Sequence, residues 1–328
     1  MKRREAIVAA LLLGVLRPCA AWAASSDLTL STATGQIAGT LEMPETPVGP
    51  ALLGAQGPVP VVLIIAGSGP TDRNGNNPMG VTGNTYRLLA EALAAHGIAS
   101  VRYDKRGVGM SKAAMVSPLT FSIYVDDAVG WVRMLRADPR FSHVVLAGHS
   151  EGSLIALLAA AKTPVDGVIS LEGAGRPIGD VLTSQIEAQG PSAAPLLGPL
   201  QNAITDLRAG RDPQDLPPAL MPLFPPYLYA FLHEVLNIDP ATAAAQAKAP
   251  LAIVQGEADM QVGVEDAKRL AAARPDATLS ILPHMTHMLK DAADDTRAAN
   301  LATYTDSSLP LDAAMVQGVV TFVQSLNH

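Results

Sequence analysis

The 328-residue chain holds one cysteine, Cys19, and that residue falls within the first two dozen. If this leader is removed, no disulfide, thiol nucleophile or cysteine metal site remains. A long hydrophobic run is also missing near the N-terminus. Ala6 to Leu16 supplies eleven apolar residues, too few for a permanent bilayer-spanning helix. Basic clusters are absent, and 30 acidic residues outnumber 23 basic ones, which argues against nucleic acid or an anionic membrane as partner. There are no internal repeats and no blocks of like charge. The glycine-rich stretch AGSGPTDRNGNNP ends without Lys-Ser/Thr and holds no spaced G-x-G-x-x-G, so it is not read as a phosphate cradle.

What is present begins with a leader. Lys2, Arg3 and Arg4 precede the apolar run, and Ala21-Trp22-Ala23 fits an A-x-A cleavage site. This is the layout of a secretory signal peptide over residues 1–23. Pro18 stands where a lipobox has a small residue, which excludes a lipoprotein reading of Cys19. Arg3-Arg4 leaves both the general and the twin-arginine export routes open. The expectation is an exported protein, periplasmic or secreted, with no stable membrane insertion after cleavage. The mature chain, 24–328, would carry 19 basic against 29 acidic residues, a net charge of −10.

Residues 27–44 alternate apolar and polar around Gly35 and predict an antiparallel hairpin at a sheet edge. A Pro- and Gly-containing surface loop follows over 45–58. Six runs then read as strands mostly apolar on both faces: VPVVLIIAG (59–67), IASVRYD (98–104), HVVLAG (143–148), DGVISLEG (166–173), PLAIVQG (250–256) and ATLSILP (277–283). Helix-like segments separate most of them. The fold class is therefore α/β, with a mostly parallel central sheet flanked by helices. Residues 175–249 carry no strand signal, and nine of the 26 prolines fall between Pro191 and Pro226. A structureless loop of that length is unusual in a compact domain, so a helical cap insertion over about 176–245 is expected above the C-terminal edge of the sheet.

Gly148-His149-Ser150-Glu151-Gly152 fits G-x-S-x-G between the apolar run Val144–Leu146 and the helix-forming SLIALLAAAK. Strand, sharp turn and helix is the context of a nucleophile elbow, with Ser150 as nucleophile and a plain βα turn as the alternative. A base and an orienting acid must then come from later strand ends. Of seven histidines, only His284 and His287 lie on a loop after a later strand, and His287 is preferred. Glu257 and Asp259 follow the strand ending at Gly256, and Asp259, further into the loop, is preferred. The chain order Ser150, Asp259, His287 agrees with the order known for such elbows.

Two backbone N–H groups would serve an oxyanion: Glu151, after the nucleophile, and Ser68, with Gly69 as the alternative. RYDKRGVGMS (102–111) reads as charge pairs that brace the elbow region. Asp72 and Arg73 either anchor the glycine-rich loop or face the pocket. In LFPPYLYAFL (223–232), Tyr227, Phe231 and Leu232 are candidates for the substrate pocket, with packing inside the cap as the alternative reading.

AGSGPTDRNGN, RYDKRGVGMS, GHSEGS, EGAGRPIGDVL, VQGEADMQV with VEDAK, and HMTHMLK together resemble bacterial α/β-hydrolases of the esterase/serine-aminopeptidase-like branch, from about Leu28 to Leu326. The Gly-Ser-Gly-Pro-Thr-Asp-Arg stretch is similar to a subgroup made up mostly of carboxylesterases. The resemblance implies Ser150 as nucleophile, Asp259 as acid and His287 as base. Three departures spare these positions: Ala66-Gly67 replaces His-Gly, Ser153 replaces a second Gly, and HMTH replaces G-M-N-H. The implied activity is hydrolysis of uncharged small-molecule esters through an acyl-enzyme, with no metal or organic cofactor. A serine aminopeptidase is the nearest alternative, although the His-Gly-Gly-Pro-Gly loop of proline iminopeptidases is absent. A catalytically silent binding protein on the same fold is the other.

Overall fold

The computed structural model describes residues 24–44 and 57–326. The expected leader and most of the expected surface loop lie outside them. The first hairpin joins β1 (Ala24–Thr32) to β2 (Gly35–Met43), antiparallel from Ala24↔Met43 to Thr32↔Gly35. The remaining strands are β3 (Val59–Ile65), β4 (Ala99–Tyr103), β5 (Phe141–His149), β6 (Gly167–Leu171), β7 (Leu251–Gly256) and β8 (Thr278–Leu282). All eight form one sheet in the order β1-β2-β4-β3-β5-β6-β7-β8, parallel from β4 onwards. All six apolar runs become strands. In β3, Pro60 has no N–H to offer, and the β3–β5 register shifts there, between Val59 and Val61. The expectation of two buried faces fits β4, β6 and β7 but not β8. As the outer strand, β8 leaves Leu279 exposed.

Helices cover both faces, as parallel crossovers require. One face carries α1 (Thr85–Ala95) and α10 (Ala313–Ser325), whose Leu89, Leu93, Val319 and Val323 pack on Val62, Ile64, Val145 and Ile169. The other carries α2 (Phe121–Arg136), α3 (Glu151–Lys162) and α8 (Val264–Ala273). Phe121, Val125, Ala128, Val132 and Leu135 of α2 recur at helical spacing and bury one stripe. α3 is apolar almost all round because neighbours enclose it on most sides.

Between β6 and β7 lie α4 (Ile178–Glu187), α5 (Ala194–Arg208), α6 (Tyr229–Val235) and α7 (Pro240–Gln246), with no strand. α4, α5 and α6 pack in sequence, and α6 rests on α2. α7 instead packs on α3 and α8, so the last turns of this segment belong to the layer covering the sheet. No helix among the described residues is long and apolar enough to cross a membrane. α9 (Arg297–Thr305) stands near the C-terminal edge of the sheet.

Three buried ion pairs brace this frame: Arg102–Glu42 joins β4 to β2 at 3.0 Å, while Arg73–Asp104 at 2.8 Å and Arg106–Asp127 at 2.6 Å tie loops to it. In the last, Nε and Nη2 of Arg106 each donate to one oxygen of Asp127, while Nη1 donates to Thr34 Oγ1 and the Ala114 carbonyl. Removing one partner strands the other charge in the core. Asp127→Ala should therefore cost about 3–5 kcal/mol of unfolding free energy in urea titrations, while a paired Arg106→Met/Asp127→Leu variant should cost far less. Equal losses in both variants would show that packing, not the charge, is at stake.

Candidate active site

Ser150 sits between β5 and α3 with φ 55° and ψ −122°, a conformation costing about 1–3 kcal/mol that the surroundings must impose. Its N–H donates to the Leu171 carbonyl of β6 (2.9 Å), and its own carbonyl accepts from Ser153 N (2.9 Å). The flanking glycines make the turn possible. A Cβ on Gly148 would fall on the Gly152 carbonyl, and one on Gly152 would fall on that of Ile65 in β3. No other residue fits either place.

His287 and Asp259 meet across the ends of β7 and β8. His287 Nδ1 lies 2.6 Å from Asp259 Oδ2, and both side chains are almost wholly buried. The other carboxylate oxygen of Asp259 accepts from Gln261 N (2.6 Å) and Val262 N (3.0 Å). Burial alone would raise this carboxyl, but the charge and hydrogen bond of His287, with Glu172 and the Gln261 amide, hold it below its ordinary value. The alternatives face elsewhere: His284 and Glu257 are both exposed. Ser150 and His287 line one cavity. The Ser150 hydroxyl makes no hydrogen bond among the described residues, and Nε2 of His287 is likewise free of one.

A chain of hydrogen bonds runs beneath the pair. Gly67 N–H donates to Tyr86 Oη (2.9 Å), Tyr86 Oη lies 2.8 Å from His149 Nδ1, and His149 Nε2 lies 2.7 Å from the His287 carbonyl. A carbonyl only accepts, so Nε2 of His149 carries the proton and Nδ1 receives the phenol's. Burial, then the nearby His287, lowers His149 to about 3, so it stays neutral. Burial raises Tyr86, which keeps its proton.

The loop after β3 is fixed by charge. Asp72 Oδ1 accepts from Asn74 N and Asn76 N, and Arg73 binds Asp104 through Nε and Nη2, so both residues anchor the loop. Buried Lys105 donates to the Gly67 carbonyl (2.6 Å) and reaches Glu151 Oε1 at 3.5 Å, and Ser68 Oγ donates to Glu151 Oε2 (3.2 Å). RYDKRGVGMS thus braces the loop before the elbow rather than touching the cavity. The Ser68 amide has no acceptor among the described residues. Glu151 opens α3, so its N–H has no partner in the helix.

The cavity beside Ser150 has a volume of about 350 Å³ and, besides the site residues, is walled by Met79, Val81, Gln261, Met288 and Tyr304. Among the described residues, no Asp, Glu, Lys or Arg lines it. Its walls come from the β3–α1 loop, the loops after β7 and β8, and α9. The pocket candidates of the insertion are corrected here, because none lines this cavity. Phe231 packs edge-on against Phe121 (5.3 Å) and Tyr124 (5.8 Å) of α2, Leu232 is buried in the core, and Tyr227 is 69% exposed. An apolar segment carries the same pattern whether its partner is a ligand or a helix. The insertion reaches the rim through Gln185 Nε2, which donates to the Gln261 carbonyl (3.0 Å).

Three residues of this centre escaped the sequence reading. Tyr86 lies on a predicted helix, and His149 was passed over because it precedes the last two strands. Glu172 directly follows β6, and its only signal in the sequence is a carboxylate after an apolar strand. It is fully buried, with φ 51°.

Comparison with known proteins agrees with this architecture. A family model described as serine aminopeptidase, S33, matches residues 79–204. Esterase EstD of Thermotoga maritima is 25% identical over 243 residues, covering 71% of this chain and 55% of that protein. The chain thus spans about half the length of that curated relative. Among solved structures, Est1E from Butyrivibrio proteoclasticus superposes with a TM-score of 0.56 at 17% identity, covering 92% of this chain and 98% of that one. The Pyrococcus furiosus esterase Pf2001 gives 0.55 at 14% identity, covering 92% and 93%. The chain has the α/β-hydrolase fold.

The neutral His149 has a measurable consequence. An unfolded histidine titrates near pH 6.5. Below that pH the unfolded chain takes up a proton that the folded one refuses until about 3. Stability is therefore full above about pH 6.5 and is lost as pH falls towards 3. His149→Gln keeps a donor for the His287 carbonyl and should flatten this slope in urea titrations between about pH 4 and 7. An unchanged slope would assign the acid sensitivity to other groups.

Proposed function

We propose that this α/β-hydrolase is a serine hydrolase that cleaves uncharged carboxylic esters through an acyl-enzyme. The observation that carries the reading is the 2.6 Å Asp259–His287 pair opening into the same cavity as the strained Ser150 elbow. Ser150 Oγ attacks the ester carbonyl and gives its proton to His287 Nε2, while Asp259 fixes the ring through Nδ1 and offsets the imidazolium charge. The bond from nucleophile to base is commonly long at rest and shortens with substrate bound. The N–H groups of Glu151 and Ser68 receive the developing oxyanion. Collapse breaks the ester C–O bond, and His287 protonates the departing alkoxide. A water then gives a proton to His287 as it attacks the acyl carbonyl; collapse breaks the acyl C–Oγ bond, His287 returns the proton to Ser150 Oγ, and the acid leaves.

The absence of ionised side chains from the cavity wall supports a neutral substrate. It also weighs against a serine aminopeptidase, the reading that the matched family description favours. A free N-terminal ammonium calls for a carboxylate in the wall. Glu151, next to Ser150, is already bound by Lys105 and Ser68. The volume sits at the lower end for small-molecule sites, which favours compact acyl or alcohol groups. The leader pattern supports action outside the cytoplasm.

Ser150→Ala and His287→Ala should each lower hydrolysis of p-nitrophenyl acetate by several orders of magnitude, and phosphonate labelling should vanish in the Ser150 variant. His284→Ala should remain close to the parent. Faster turnover of an aminoacyl anilide than of the acetate would replace the esterase reading with the peptidase one. Inertness to both would favour a binding protein.

A further inference from the structure

Glu172 has no part in the reaction as drawn, yet it lies against the residue that orients the base. One oxygen each of Glu172 and Asp259 and a ring nitrogen of His287 lie within 4.8 Å of one another. Glu172 accepts from Gly256 N (2.8 Å) through Oε1 and is hydrogen-bonded to Gln255 Nε2 through Oε2. No lysine or arginine pairs with it among the described residues. The titratable groups that face it are Asp259 and His287 from the loops after β7 and β8 and Tyr304 from α9; His149, at the end of β5, faces His287. Two carboxylates side by side in a dry site cannot both ionise. Asp259 holds two backbone amides, His287 and a long bond from Gln255 Nε2 (3.4 Å), whereas Glu172 holds one amide and Gln255, so the anion belongs to Asp259 and the proton to Glu172.

We propose that Glu172 is a positioning residue for the catalytic acid, a neutral carboxylic acid whose hydroxyl donates to the Asp259 carboxylate. The assignment rests on reading Asp259 and His287 as the working acid and base. Burial, followed by the charge of Asp259, pushes Glu172 well above the usual carboxylate range, in agreement with the geometry. The donated bond does two things. It ties the loop after β7 to the end of β6, the strand whose Leu171 carbonyl also receives Ser150 N–H. It also spends part of the Asp259 charge on a second donor, which weakens its hold on the imidazolium.

The test compares Glu172→Gln, whose amide keeps a donor, with Glu172→Met, which keeps length and loses it. The Gln variant should hold kcat within about threefold and leave the acid limb of the kcat/KM profile in place. The Met variant should lose about 10- to 100-fold in kcat with KM little changed, and its acid limb should move to higher pH. Two readouts need no substrate. In the parent at neutral pH, infrared spectra should show a protonated carboxyl band that the Gln variant lacks, and the His287 ring should titrate higher in the Met variant by NMR. Those two results in a protein inert to esters would retain the Glu172 assignment and overturn only the esterase reading. The proposal is overturned if the carboxyl band survives in the Gln variant, or if Gln is as damaging as Met. It also fails if both variants lose only thermal stability and keep parental pH profiles.

Discussion

The contact between β5 and α3 at Gly148 and Gly152 sets the position of everything else in the site. Two backbones pass where no Cβ fits, and the turn between them forces Ser150 into a strained conformation. The neighbours on the sheet hold that strain: β3 lies against Gly152, and β6 accepts the Ser150 N–H. His149, the last residue of β5, is buried, while the turn that follows presents Ser150 to the cavity. One turn thus supplies both the exposed hydroxyl and the buried imidazole that supports the His287 backbone.

Electrostatics divides the region into two zones. Although the chain is acidic, cationic side chains cluster beneath the loops that shape the cleft, each on a carboxylate or carbonyl. Arg73 holds Asp104, Lys105 holds the Gly67 carbonyl, and fully buried Lys290 holds the carbonyls of Gly83 and Asp306. Burial lowers the affinity of Lys105 and Lys290 for their protons, so each needs its hydrogen bonds to remain charged. Above this layer the cavity wall is neutral. Hydrogen-bonded charges fix the backbone, and a low-polarity space is left in which amide donors count for more than they would in water.

The sheet was legible because its signals are local and redundant. Apolar runs of strand length alternate with helix-forming segments, and the hairpin at 24–43 alternates about Gly35. Ser150, Asp259 and His287 stood out as candidates because each sits at a strand end, where parallel α/β sheets gather their loops. What escaped notice depends on contacts between distant segments. Tyr86 and His149 read as ordinary residues of a helix and a strand until they meet, 63 positions apart. Glu172 and Asp259, on loops after different strands, gain meaning only as neighbours. The error over Tyr227, Phe231 and Leu232 has the same origin, because sequence shows that an apolar face needs a partner but not which one.

The insertion between β6 and β7 is anchored through its last two helices, α6 on α2 and α7 on α3 and α8, and among the described residues it contributes no wall to the cavity. Its middle, with nine prolines between Pro191 and Pro226, therefore lies apart from the cavity wall that the β3–α1 loop shapes. Drift in length and composition between α5 and α6 leaves the reacting groups where they are. An insertion or deletion there would change the outer surface of the molecule and leave the walls of the cavity standing.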